Sequence, residues 1–237
     1  MKCLFVSPIS DVWNERKHIS LGLGYLAAVA LQASHEASIF DAAVEDISLS
    51  DVLSRERFDI VGITATTPLI YEAWEAARLA KEHGALTILG GAHPTLMPQE
   101  SLERSEVDLV VRGEGEDTLL EIIEAWQQSG NKSPRPAPRI EQRQFDRAVW
   151  DHIRGISFRS LEGDIVHTPV RPLRKDLDSL PFPAHHLIDI GKYTNLQPLT
   201  DGLDPNARAY TIVTSRCCPY NCIYCSKAIT GRSWRPR

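Results

Sequence analysis

The sequence predicts an α/β fold over its first 130 residues, an open and mainly parallel sheet with helices on both faces. Three observations predict it. Short apolar runs alternate with helical patterns five times. The run Asp59–Thr64 (DIVGIT) is continuously apolar, as a strand buried on both faces must be. Gly, Thr, His and Glu groups collect after the strands, in SPIS, TATTP, GGAHP and GEGE.

In chain order, Lys2–Ser7 (KCLFVS) is the first strand, and a loop leads to a helix over Leu21–Gln32. Ala37–Phe40 is a short second strand and Ile47–Arg55 a short helix. After the third strand, Thr67 suits a helix cap and Pro68 the first helical position. Leu69, Ile70, Ala73, Trp74, Ala77 and Ala80 form that helix's apolar face, and Gly84 ends it. Leu86–Leu89 is a fourth strand, Pro98–Arg104 a weak helix, Leu109–Val111 a fifth strand and Asp117–Gln127 a closing helix. Right-handed crossovers then give a flavodoxin/Rossmann-like five-stranded parallel sheet of order 2-1-3-4-5, whose ligands bind beyond the carboxyl ends of the strands.

Residues 131–204 read as linker and connector, opening on the proline-rich GNKSPRPAP. Within them Ile153–Arg159 and Asp164–His167 predict a β-hairpin turning at Glu162–Gly163. The proline-punctuated PVRPLRKDLDSLPFPAHHL reads as extended. Residues 205–237 begin a second unit, with a strand at Ala209–Thr214 running into the cysteines.

Composition narrows the function. Apolar residues are 43% and charged residues 24%, the balance of an ordinary globular chain. No apolar run reaches the 18 or so residues of a membrane span, and MKCLFVSPIS lacks a signal peptide's apolar stretch. A net charge of −5 argues against nucleic acid as the partner of the whole chain. Of five cysteines, Cys217, Cys218, Cys222 and Cys225 fall together, which points to a reducing cytoplasm and a metal site over a secreted disulfide scaffold.

The segment SRCCPYNCIYCS contains Cys218-x3-Cys222-x2-Cys225. Three thiolates in one tight loop suit three irons of a 4Fe–4S cube, leaving the fourth iron open to a small molecule. A zinc site drawing on His185–His186 is the alternative, although zinc usually takes two close ligand pairs. A looser dinucleotide fingerprint, Gly22-x-Gly24-x-x-Ala27, stands well past the first strand, and no Walker loop is present.

This spacing resembles the radical S-adenosylmethionine enzymes, with Tyr224 as the aromatic residue before the third cysteine and Cys217 in a place where such sequences commonly have glycine. With it, SLGLGYLAA, GITATTP, GGAHPT, VVRGEGE and the connector RPLRKDLDSLPFPA resemble the variants that carry an upstream cobalamin-binding domain. The resemblance implies a cobalamin-binding type of sheet, then the start of a radical S-adenosylmethionine partial β/α barrel. It implies three cofactors: cobalamin, S-adenosylmethionine and a 4Fe–4S cluster on Cys218, Cys222 and Cys225. The vacant iron would chelate S-adenosylmethionine, whose reductive cleavage releases a 5′-deoxyadenosyl radical.

The residues expected at the cobalamin are Gly22 and Gly24, packing helix against nucleotide tail, and Thr64, Thr66 and Thr67 at a helix N-terminus. Gly90 and Gly91 would allow close backbone approach. His93, Glu114 and Gly115 stand in the loops beside them. The mutase-type D-x-H-x-x-G loop is absent, so His93 is expected near the corrin or on a backbone partner, not as an axial ligand. A tight turn at Gly90–Gly91, a plain cap at Thr66–Thr67 and a solvated acidic turn at Glu114 and Glu116 stay open as structural roles.

By the family's pattern the barrel extends well beyond the 12 residues that follow Cys225, so a C-terminally truncated catalytic domain is expected. The expected reaction is methyl transfer or ring formation on a small-molecule substrate, fed by an external electron donor. A corrinoid carrier or sensor is the non-catalytic alternative. A tRNA methylthiotransferase would need three further upstream cysteines, where only Cys3 occurs.

Overall fold

In the computed structural model, residues 1–9, 19–129, 141, 143–193, 211–220, 222–225 and 233–237 are described. Strands β1 (Lys2–Ser7), β2 (Glu36–Asp41), β3 (Ile60–Thr64), β4 (Leu86–Gly90) and β5 (Leu109–Val111) are all parallel, in the expected order β2-β1-β3-β4-β5. The sheet continues beyond the five strands read from the sequence. β6 (Ile156–Arg159) adds antiparallel to β5, and β7 (Ile165–His167) antiparallel to β6, giving seven strands. Ile156 and Phe158 are fully buried, so the hairpin has its own apolar contribution to make to the sheet's core.

The helices are α1 (Leu21–Gln32), α2 (Leu49–Arg55), α3 (Ile70–Glu82), α4 (Ala92–Leu96), α5 (Pro98–Leu102), α6 (Glu116–Gln128) and α7 (Arg147–Trp150). Alternation along the strands feeds two cores, one on each face of the sheet. Cys3, Phe5, Ile60, Leu86, Ile88, Leu109 and Val111 pack with α1 and α6. Leu4, Val6, Val61, Ile63, Leu89 and Val110 pack with α3 and with Leu53 of α2. Burial pushes the Cys3 thiol up to about 12, leaving it an inert core residue.

Three local expectations change. Thr67 does not cap α3: Thr67–Leu69 is a 3-10 turn, and Ile70 begins the α-helix. The helix expected from Pro98 is α5, with Pro98 at its first position, but a second short helix that the sequence did not reveal, α4, precedes it. Thr211–Thr214 are not a strand, and residues 209–210 of the expected strand lie outside the described residues. The ladder forms later, as β8 (Ser215–Arg216) paired antiparallel with β9 (Arg235–Pro236). Gly84 does end α3, with φ +87° and its N–H donating to Lys81 O at 2.8 Å.

At the foot of the sheet, Asp108 accepts from Lys81 Nζ at 2.5 Å, from Arg143 Nη1 at 2.5 Å and from Thr87 N–H at 3.0 Å. Arg143 also donates to Ala85 O and Gly84 O, both at 2.8 Å. Desolvation holds the Lys81 ammonium below its ordinary range, and the carboxylate of Asp108 opposes that effect. The segment after α6 is thereby tied to the base of β4.

Candidate functional site

A slot of about 340 Å³ opens between the sheet and helices α1 and α6. Its sheet wall is Phe5 of β1, Gly62, Ile63 and Thr64 of β3, Ile88 and Gly90 of β4, and Val111 of β5. Leu21, Gly22, Leu23, Tyr25 and Leu26 of α1 face them, with Glu116 and Leu119 of α6. Gly91, Gly113, Glu114 and Gly115 form the rim at the carboxyl ends of the strands, and Val213 and Arg216 close it from the C-terminal side. The size suits a small molecule or one arm of a larger one, since such pockets run from about 300 to 1,000 Å³.

Glycine makes the slot. Among the described residues, a Cβ on Gly22 or Gly113 would meet nothing within 4 Å, which leaves space beside them for a ligand. At Gly62 a Cβ would stand 3.1 Å from the Phe5 ring, so the glycine allows that ring its close approach to β3. Gly91 has φ +98°, and a Cβ there would stand 2.8 Å from Ala65 O and 2.9 Å from Thr64 Oγ1. The turn after β4 needs glycine on both counts.

Among the expected cobalamin residues, the structure brings Gly22, Thr64, Gly90, Gly91, Glu114 and Gly115 to the slot. Gly24, Thr66, Thr67, His93 and Tyr224 are not among its lining. Gly24 instead receives the connector: its Cβ position lies 3.0 Å from Pro183 Cβ, and Ala184 N–H donates to Gly24 O at 3.0 Å. Thr66 and Thr67 are exposed in the 3-10 turn. His93 is buried, with Nδ1 3.2 Å from Thr67 Oγ1 and Nε2 3.2 Å from Glu100 Oε2. Both ring nitrogens are therefore engaged within the protein.

Sequence reasoning did not find Phe5, Gly62, Tyr25, Leu119, Val213 or Arg216. Gly62 carried a usable signal, a lone glycine inside an apolar strand. Arg216 did not, because its partners lie far off along the chain. Its guanidinium donates to Glu116 Oε1 at 2.5 Å, lies 3.3 Å from Glu114 Oε1 and sits 5.0 Å above the Tyr25 ring. Arg235 grips the same Glu114 with both terminal nitrogens, at 3.0 and 2.6 Å. Burial raises the Glu114 carboxyl, but Arg235 and Arg216 outweigh it and hold the group below the usual carboxylate range.

The cysteine loop follows directly. Cys217 takes a left-handed φ of +65°, a conformation suited to the glycine expected there, and its Sγ accepts from Arg235 Nη2 at 3.3 Å. Cys218 is half-buried, while Cys222, Cys225 and Tyr224 are exposed. Among the described residues no three His, Cys, Asp or Glu side chains stand together as a metal site, so the cysteines are not gathered into a ligand set. Their donor chemistry still fits iron, since they are thiols of one short loop without a competing carboxylate. His185 and His186, the alternative zinc ligands, lie in a 3-10 turn of the connector.

Residues 15–123 match the B12 binding domain family. The chain is 32% identical over 222 residues to an uncharacterized methyltransferase of Pyrococcus horikoshii, covering 91% of this chain and 42% of that one. It is 33% identical over 224 residues to the anaerobic magnesium-protoporphyrin IX monomethyl ester cyclase of Rubrivivax gelatinosus, covering 91% and 36%. The chain thus spans less than half the length of either relative. Among solved structures, the cobalamin-dependent S-adenosylmethionine radical enzyme OxsB, with aqua-cobalamin and S-adenosylmethionine bound, superposes with a TM-score of 0.73 at 20% identity. That match covers 100% of this chain and 30% of the other. The radical S-adenosylmethionine methyltransferase TsrM of Kitasatospora setae, with cobalamin and a [4Fe-4S] cluster bound, gives 0.66 at 17%, over 100% and 44%. At these identities the two structures speak to the fold. No helix among the described residues is long and apolar enough to cross a membrane.

Proposed function

We propose, from the match of residues 15–123 to the B12 binding domain family, that the chain serves a cobalamin-dependent radical S-adenosylmethionine enzyme of the methyl-transferring or ring-forming type. The observation that carries the reading is the glycine-walled slot between sheet and helices, opening at the carboxyl ends of the strands. It is too small for a whole corrinoid and suits the flat base and ribose of a nucleotide tail. Phe5, Ile88 and Val111 offer the base an apolar floor, and Thr64 and the backbone of Gly115 stand at the mouth, whereas the Gly113 N–H already donates to Thr95 Oγ1 at 3.1 Å. Cys218, Cys222 and Cys225 would hold the cluster. When bound, cobalamin supplies a transferable methyl group and the reduced cluster supplies the electron that cleaves S-adenosylmethionine.

Tyr25 and Leu119 exclude water from the inner slot, and Arg216 closes its C-terminal side while staying neutralised by Glu114 and Glu116. The substrate is a small molecule and the electron comes from an external donor. A corrinoid carrier is the second reading, supported by the match to a B12 binding domain over residues 15–123, which does not include the cysteine loop. Anaerobic reconstitution with iron, sulfide and hydroxocobalamin tests both. Cluster absorption together with bound corrinoid supports the enzyme, and corrinoid alone supports the carrier. Absence of both refutes the two readings.

A further inference from the structure

The slot and the cysteine loop share a wall. Arg216 lines the slot and precedes Cys217 and Cys218 directly, so its guanidinium and the loop's first thiols belong to one short stretch of backbone. Three arginines fasten that stretch to the B12 binding domain. Arg216 lies on Glu116 and Glu114, Arg235 on Glu114 and Cys217 Sγ, and Arg237 on Tyr25. Arg237 Nη1 donates to the Tyr25 hydroxyl at 2.8 Å, and its backbone N–H donates to Thr214 O at 2.8 Å. Of the three, only Arg216 is also a slot residue. Its Glu116 partner stands in the first turn of α6, where a carboxylate is favoured by the helix dipole.

A ligand seated in the slot therefore contacts the side chains that hold the loop. It would stand against Tyr25, Glu116 and Arg216 together, and so against the ion pair itself. Any ligand that prefers the latched arrangement stabilises it, and by linkage the latched loop must favour the ligand equally.

We infer that Arg216 is a positioning residue that couples the two cofactor sites: through its Glu116 ion pair it ties the order of the cysteine loop to occupation of the slot. The inference rests on the corrinoid reading above and adds to it a specific residue and a reciprocal effect. Tail binding orders the loop that would receive the cluster, and a loop ordered by its cluster tightens the hold on the tail.

The experiment uses the iron-free full chain under anaerobic, reducing conditions, with iodoacetamide alkylation followed cysteine by cysteine by mass spectrometry. Buried Cys3 reports whether each variant is folded. The probe is cyanocobalamin, whose cobalt is already capped, with dicyanocobinamide as the corrin that lacks the nucleotide tail. At saturation cyanocobalamin slows alkylation of Cys218 by roughly fivefold or more, the lower end of ordinary coupling between sites, and cobinamide does not. Arg216→Glu and Glu116→Arg each lose this protection and weaken cyanocobalamin binding by a similar factor. The combined swap restores both. Equal protection in Arg216→Glu at saturation, or unchanged rates in the parent chain with corrinoid bound, overturns the coupling and leaves the corrinoid reading standing. Failure of the parent chain to bind either corrinoid overturns both. A parent-chain result needs no variant, so misfolding of a substituted chain does not shelter the inference.

Discussion

At Gly91 two demands meet in one residue: a left-handed φ of +98° and a Cβ position 2.8 Å from the carbonyl oxygen of Ala65. Alanine there must strain the backbone and push β3 and β4 apart where they form the slot's rim. Gly91→Ala should cost about 1–3 kcal/mol, read as a lower denaturant midpoint with unchanged slope, whereas Gly22→Ala, at an unstrained helical position, should leave the midpoint unchanged or raise it slightly. An equal response at the two positions would contradict the geometry. Both glycines stood out in the sequence, yet their different roles did not, because φ and packing depend on neighbours from other strands. His93 makes the same point. Its place after β4 was legible, but its engagement by Thr67 and Glu100 arises only when two loops meet.

The elements were more legible than the residues. Helix α1 falls on the predicted Leu21–Gln32, and β1 and β5 on their predicted bounds, because long periodic or uniformly apolar runs leave little choice. The β8–β9 ribbon was not legible: two residues on each side carry no periodicity, and charge pairs with Glu116 of α6 and with Glu114 just before it hold them. That attachment has a pH signature. Glu114 binds its proton more weakly in the fold than free, so its contribution is complete above the ordinary glutamate range. It is lost as pH falls through the lowered folded value. The amide resonances of Arg216 and Arg235 should therefore shift together on acidification, with a midpoint below that of an exposed glutamate. A midpoint at or above the ordinary value would exclude Glu114 as the anchor.

Over the whole molecule, the five-stranded parallel order and the ligand face at the strands' carboxyl ends were readable, since connections in such sheets follow few rules. The hairpin itself was readable too, but not its attachment, because β5 and β6 are joined by a long intervening segment and pairing between distant strands leaves no local trace. That attachment matters for keeping copies of the chain apart. Without β6, the backbone of Leu109, Val110 and Val111 would present unpaired N–H and C=O groups on an apolar strand, a template for another molecule's strand. The hairpin moves the boundary of the sheet to β7, three residues that are half-buried or exposed and followed by Thr168 and Pro169. A chain ending at Gln128 should consequently self-associate in light scattering at concentrations where the 237-residue chain does not. A stretch that read as a spacer between two cofactor sites thus acts as a guard against aggregation, and shortening it would trade a tidy boundary for a sticky edge.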